Sequence, residues 1–261
     1  MILFLSVFLT ALIFSMFGLG GGLFYMPLFM FFFDDPQKAA FLSFLCILVT
    51  AGSSAFKYYK LRNIDWRLVF FLGIPLIVMV FVSGFVGDFF DKRWIMCILS
   101  STLILAGFSL MMPVGILDFL SRISRFLHKV LPSKNFAFHP LIASPLAACV
   151  GFFCGISGVA GGVFEVPMMV GLLRVSPHLA IGTSSMIVFL SGISGVISRF
   201  SFLTREFNVE PITLVGILVA VFVGAYTGPS LSVRINKRVF KKICGAFVVL
   251  VGLYYIFKII F

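Results

Sequence analysis

Apolar residues along this chain fall in long unbroken runs rather than in stripes. Segments free of Asp, Glu, Lys and Arg cover residues 2–33, 39–56, 68–87, 94–117, 140–173, 179–198, 212–233 and 243–257, with Glu165 the single interruption. A helix rises 1.5 Å per residue and needs about 20 apolar residues to cross a hydrocarbon core, so these runs predict membrane helices. Strands of a membrane barrel would alternate apolar and polar every second residue, whereas these runs are apolar on every side. The predicted fold class is therefore an all-α polytopic membrane protein. Residues 2–33 exceed the roughly 7–15 apolar residues of a signal peptide and follow no basic residue, so they are taken as part of the mature protein.

Two runs are too long for one crossing. As single helices, 2–33 and 140–173 would extend about 48 and 51 Å against a core of about 30 Å. Each contains a glycine motif followed by proline: GLGGGLFYMP from Gly18, and GVAGGVFEVP from Gly158. A shift of 140 residues lays Gly18, Gly21, Gly22, Phe24 and Pro27 over Gly158, Gly161, Gly162, Phe164 and Pro167. The same offset pairs Ala40 with Ala180, Gly52 with Gly192, Ser54 with Ser194 and Gly84 with Gly224. Residues 1–117 and 140–261 are thus two membrane repeats, joined by a linker at 118–139 that holds Arg122, Arg125, Lys129 and Lys134. Glycine and proline both disfavour helix continuation, so each first segment is expected to break near Pro27 and Pro167. It would then form a re-entrant hairpin or two short helices, followed by three membrane helices.

Charge changes the picture by giving orientation. The composition is 61% hydrophobic and only 11% charged, which leaves almost nothing for a soluble domain. The net charge of +11 would suit a nucleic-acid binder, but Lys and Arg lie almost entirely between the apolar runs, which is a topology signal. Loop 88–93 balances Asp88 and Asp91 against Lys92 and Arg93, while its repeat counterpart carries Arg234, Lys237, Arg238, Lys241 and Lys242. Equivalent loops with unequal positive charge belong on opposite sides, so the repeats are expected to be inverted. With each first segment broken, 14 of the 20 Lys and Arg fall on the linker side and 6 on the other. That partition puts the linker in the cytoplasm and both termini outside a multi-pass inner-membrane protein.

Irregular backbone at membrane depth must face protein or a wet cavity, since an unpaired N–H or C=O in hydrocarbon costs several kcal/mol. A helix restarting after a break offers free N–H groups and the positive end of its dipole. Two such breaks would form a site for a small anion, lined by Gly18, Gly20, Gly21, Gly22, Gly158, Gly161 and Gly162. Hydroxyls that could donate to an oxyanion are Ser157, Thr183, Ser184, Ser54 and Ser194. The bland alternative is that the glycines only allow close helix packing and that the hydroxyls bond their own helix carbonyls. Glu165, whose repeat partner is Tyr25, is an ionisable group within an apolar run. It is a candidate for proton coupling, or for gating with a base such as Arg174 or Arg199.

The five Cys lie in apolar runs without a CxxC pair and are expected to pack rather than bind metal. Neither an HExxH motif nor a Ser-His-Asp set occurs at membrane depth, so no catalytic residue, cofactor or metal is expected. The paired motifs GLGGGLFYMP and GVAGGVFEVP, with HLAIGTSS after the second, resemble those of the TauE/SafE family of sulfite exporters and related permeases. That resemblance covers nearly the whole chain. It implies movement of sulfite or a sulfur-containing organic anion across a prokaryotic inner membrane by alternating access. Lipid and a small anion are the partners implied, with a homodimer left open. A cation or neutral-solute carrier, which would need more buried carboxylates, and a non-transport membrane protein are the rival readings.

Overall fold

The computed structural model describes residues 2–15, 22–111, 138–159, 161–200, 210–231 and 237–260. Their helices, in chain order, are α1 (Ile2–Ser15), α2 (Gly22–Phe33), α3 (Pro36–Lys60), α4 (Trp66–Val86), α5 (Lys92–Met111), α6 (Phe138–Ser157), α7 (Gly162–Gly171), α8 (Pro177–Ser198), α9 (Pro211–Leu231) and α10 (Lys237–Ile260). No strand occurs among the described residues. Five helices are long and apolar enough to cross a membrane: α3, α4, α5, α8 and the Lys242–Ile259 part of α10. The Pro211–Thr227 part of α9 is shorter, as are α1, α2, α7 and Ala143–Ser157 of α6. The linker lies outside the described residues up to Phe138, where α6 begins.

Local chemistry sets the helix ends. Asp35 accepts the Gln37 and Lys38 N–H groups and Pro36 opens α3, a side-chain cap followed by proline at the first helical position. Asp65 caps α4 in the same way through Arg67 and Leu68. Within α4, a π turn at Val69–Gly73 precedes Pro75 and absorbs the hydrogen bond that proline cannot donate.

The second long run is divided at the glycines of its motif, with α6 ending at Ser157 and α7 starting at Gly162. In the first run residues 16–21 lie outside the described residues. Pro27 lies inside α2 and Pro167 inside α7, each five positions past the helix start at Gly22 and Gly162. The expected breaks at Pro27 and Pro167 are therefore corrected. One missing N–H is tolerated within a packed helix, whereas a run of glycines removes the side chains that would stabilise a continuous one.

Glycine contacts fix the packing. Helix α1 runs parallel to α9, with Gly216 against Phe4, Gly224 against Ala11, and Ser15 Oγ donating to the Gly224 carbonyl at 3.3 Å. Helix α6 runs parallel to α4, with Gly151 on Leu76 and Gly155 on Val80 and Ser83. Helices α3 and α8 cross antiparallel where Gly52 receives Phe189 and Gly192 receives Leu48. Helix α5 lies antiparallel along α10, and a Cβ on either Gly107 or Gly245 would stand 2.7 Å from the other's carbonyl oxygen. The 140-residue offset exchanges the pair α1–α9 with the pair α6–α4, and it maps α3–α8 and α5–α10 onto themselves.

The outward faces are apolar, with Phe70, Phe81, Phe108, Phe222 and Phe247 exposed. Polar groups are inside: Ser43, Thr50, Glu165, Thr183, Ser184 and Arg199 are all buried. This inversion of the soluble pattern suits lipid as the solvent. Cys46 and Cys154 are buried as expected, but Cys97 and Cys149 face outward, because thiols are apolar enough for either setting.

Candidate functional site

The connection between α6 and α7 is built tightly against α3. Gly158 has φ +66°, in the left-handed region, and a Cβ there would stand 2.8 Å from the Cα of Ala40. Glycine alone meets both demands. Ser43 Oγ donates to the Gly158 carbonyl at 2.6 Å, tying the connection to α3. Helix α7 then restarts at Gly162 after Gly161, and no side chain caps it. Its first-turn N–H groups and the positive end of its dipole are the features that attract an anion.

Glu165 sits in that first turn. It is 1% exposed, and neither carboxylate oxygen has a hydrogen-bond partner. Side chains on a helix lean toward its N-terminus, so the carboxylate folds back onto the start of α7. A Cβ on Gly161 would lie 2.9 Å from Glu165 Oε1, and the Ser184 hydroxyl stands alongside. Gly161 also borders Leu76 and Val150, at mid-length of α4 and α6.

Tyr25 is the counterpart of Glu165 in α2 and was not among the candidates drawn from the sequence. It is fully buried, and its hydroxyl too has no hydrogen-bond partner. An aromatic in an apolar run ordinarily signals packing. The available signal was its alignment with Glu165.

Arg199 does not join Glu165. It follows the end of α8, 2% exposed, with Nη2 donating to the Gly155 carbonyl at 2.5 Å and the guanidinium 5.0 Å from the Phe44 ring centroid. Gly84 and Gly87 of the α4 end leave room for it. It thus holds the last turn of α6, where carbonyls carry the negative end of the helix dipole. Glu165 forms no ion pair among the described residues, so the expected carboxylate–base gate is not formed in this conformation.

The remaining candidates separate. Gly158, Gly161, Gly162, Ser184 and Glu165 come together at the start of α7. Ser157 lies next to them, but its hydroxyl bonds the Phe153 and Cys154 carbonyls of its own helix. Thr183 accepts the Asp65 N–H at 3.0 Å, and Ser194 donates to the Ile77 carbonyl at 3.0 Å, so both serve contacts between elements. Ser54 is half-buried on α3, two residues past the Gly52 crossing. Gly22 is buried at the start of α2, while Gly18, Gly20 and Gly21 lie outside the described residues. No group of three or more His, Cys, Asp or Glu residues that could hold a metal occurs among the described residues.

Apolar outer faces, several membrane-length helices and a broken segment whose helix start lies among buried polar groups are the framework of a membrane transporter. Comparison with known proteins agrees and gives the family. The family model described as "Sulfite exporter TauE/SafE" matches residues 3–255, and the chain belongs to this family. The "Probable membrane transporter protein YunE" of Bacillus subtilis (strain 168) is 26% identical, over 95% of this chain and 93% of the relative. The "Probable membrane transporter protein MJ0441" of Methanocaldococcus jannaschii is 24% identical, over 90% and 85%. A "Probable membrane transporter protein" of Haemophilus influenzae is 24% identical, over 92% and 91%. No solved structure matches the chain.

Proposed function

We propose that this TauE/SafE transporter is a proton-coupled permease for a small oxyanion, sulfite or a sulfur-containing organic anion, that works by alternating access in the inner membrane. The observation that carries the reading is Glu165, a buried carboxylate without a hydrogen-bond partner, lying against the uncapped start of α7. An anion and a carboxylate compete for one positive helix end. When Glu165 is ionised, its own charge holds the position. When a proton neutralises it, a substrate oxyanion takes the place, with the α7 N–H groups and the Ser184 hydroxyl as donors. Proton and anion then travel together. A cation carrier would require carboxylates left ionised and converging, and Glu165 is the one buried acid among the described residues.

Alternation is read from the two halves. The exchange of α1–α9 with α6–α4, and the self-paired α3–α8 and α5–α10, support repeats related by a two-fold axis, as inverted-repeat carriers have. With the first segment of each half broken, as the two long apolar runs imply, three further helices make the number of crossings odd and the halves opposite in orientation. The sequence partition of positive charge then puts the linker in the cytoplasm and both termini outside.

The test is uptake by purified protein in liposomes of sulfite, sulfoacetate, sulfate, thiosulfate and a cation control, with and without a pH gradient. Saturable movement of one oxyanion, driven by the gradient, is expected. Glu165→Gln should keep oxyanion binding and lose the pH response. Movement of the cation alone, or a pH response intact in Glu165→Gln, would overturn this reading.

A further inference from the structure

The turn between α3 and α4 carries a feature that the site at the start of α7 does not use. Residues 61–63 are held by backbone bonds, Leu61 N–H to Lys57 O, Arg62 N–H to Tyr59 O and Asn63 N–H to Tyr58 O. Arg62 itself has φ 55°, a left-handed conformation disfavoured for a residue with a Cβ and held here by those bonds. The turn shapes a dish of about 470 Å³ lined by Tyr59, Lys60, Arg62, Ile64 and Trp66. That volume is within the range of small-ligand sites.

Lys60 and Arg62 are the ionisable cations there, and among the described residues no carboxylate lines the dish. Asp65, adjacent in sequence, is committed to capping α4, with its carboxylate accepting the Arg67 N–H at 2.9 Å. Aromatic rings stand beside the cations. Tyr59 and Trp66 meet edge to face with ring centroids 6.3 Å apart, and Lys60 Nζ lies 4.5 Å from the Phe56 ring centroid. Two cations on one short turn attract a single anion together. Tyr and Trp also favour the headgroup level of a bilayer.

The dish is docked on the start of α8. The Asn63 carbonyl presses on Gly182 so closely that no side chain fits there, and Asp65 N–H bonds Thr183 Oγ1. Ser184, the next residue, stands beside Glu165. The dish therefore lies over the stretch of α8 that leads to the site at the start of α7.

We propose that this dish is an oxyanion-binding vestibule in which the Lys60 ammonium and the Arg62 guanidinium hold a negatively charged oxygen group. Two sources present that chemistry: a free oxyanion on its way to the start of α7, which rests on the transport reading, or the phosphodiester of an anionic lipid headgroup, which does not.

The sequence supplies its own reporter, because Trp66 and Trp94 are the two tryptophans and Trp94→Phe leaves Trp66 alone in the dish. Emission of that variant is followed in phosphatidylcholine vesicles titrated with sulfite or sulfate, then in vesicles of rising phosphatidylglycerol content. A saturable change is expected, weakened by roughly tenfold or more in Lys60→Gln/Arg62→Gln and kept in Lys60→Arg/Arg62→Lys. Response to the free anions identifies a substrate vestibule, and response to phosphatidylglycerol alone identifies a headgroup site. No saturable change with either source, or the same change in the Gln variant, overturns the proposal. Since the readout is binding, a failed uptake assay with an intact Trp66 response would remove the transport reading and leave the vestibule standing.

Discussion

Tyr25 and Glu165 occupy one repeat position and share one condition, burial with polar atoms left unbonded. An unsatisfied buried polar group costs about 1–3 kcal/mol, so a group kept in that state at both copies has a use other than stability. Tyr25→Phe is accordingly expected to leave thermal stability unchanged or to raise it by up to about 1 kcal/mol, while uptake falls several-fold. A clear loss of stability with normal uptake would assign the tyrosine to packing. Gly161→Ala should act on the carboxylate directly, since the new methyl would meet Glu165 Oε1. We expect at least a roughly tenfold loss of uptake, about 1.4 kcal/mol in transition-state terms, with normal membrane insertion measured by protease protection. Glu165 was legible because a charge in an apolar run stands out. Tyr25 was legible only through its alignment with Glu165. The hydroxyls were not separable in advance: Ser157, Thr183 and Ser194 look alike in sequence, and only neighbouring elements decide which carbonyl or N–H each one meets.

At the scale of elements, the division of the second long run followed from length, since a span far beyond the hydrocarbon thickness must turn. The location of the turn did not follow. Proline is the stronger helix breaker in water, but in a packed bundle neighbours can make good one lost bond, and in the second run the glycines give way first. Close crossings are the second element-level feature, visible in sequence only as glycines of unknown partner. Gly107→Val would drive a branched side chain into the Gly245 carbonyl and is expected to lower stability by about 2 kcal/mol or more, read as a reduced melting temperature in detergent. A third feature lies at the helix ends. Asp34, after α2, accepts Lys92 Nζ of α5 at 2.6 Å and Lys258 Nζ of α10 at 2.9 Å. Those two hydrogen bonds hold its carboxyl below the ordinary carboxylate range. A depressed value means that the contribution is complete above the ordinary pKa, near 4, and is lost as pH falls through the lowered one. Asp34→Asn should therefore loosen the end of α10 at neutral pH, seen as faster amide exchange there. The parent protein should keep that protection until well below pH ~4. The groups are largely exposed, so the effect on global stability should stay within about 1 kcal/mol.

For the whole molecule, the all-helical fold and the membrane as solvent were legible from run lengths, but the pairing of helices was not, because an apolar helix face does not name its partner. The observed pairing joins α1 to α9 and α4 to α6, so the first helix of each half leans on a helix from the other half. Residues 1–117 and 118–261 expressed together as separate chains are expected to co-purify, and each expressed alone should be degraded. Stable halves on their own would contradict the interlock. The same pairing has a meaning for synthesis. Helix α1 leaves the ribosome long before Pro211 is added, and α9 is the surface against which Gly224 and Ser15 meet. Until then α1 lacks the helix against which it packs most extensively. Final docking of α1 is therefore expected to come late in synthesis, after most of the second half has been made.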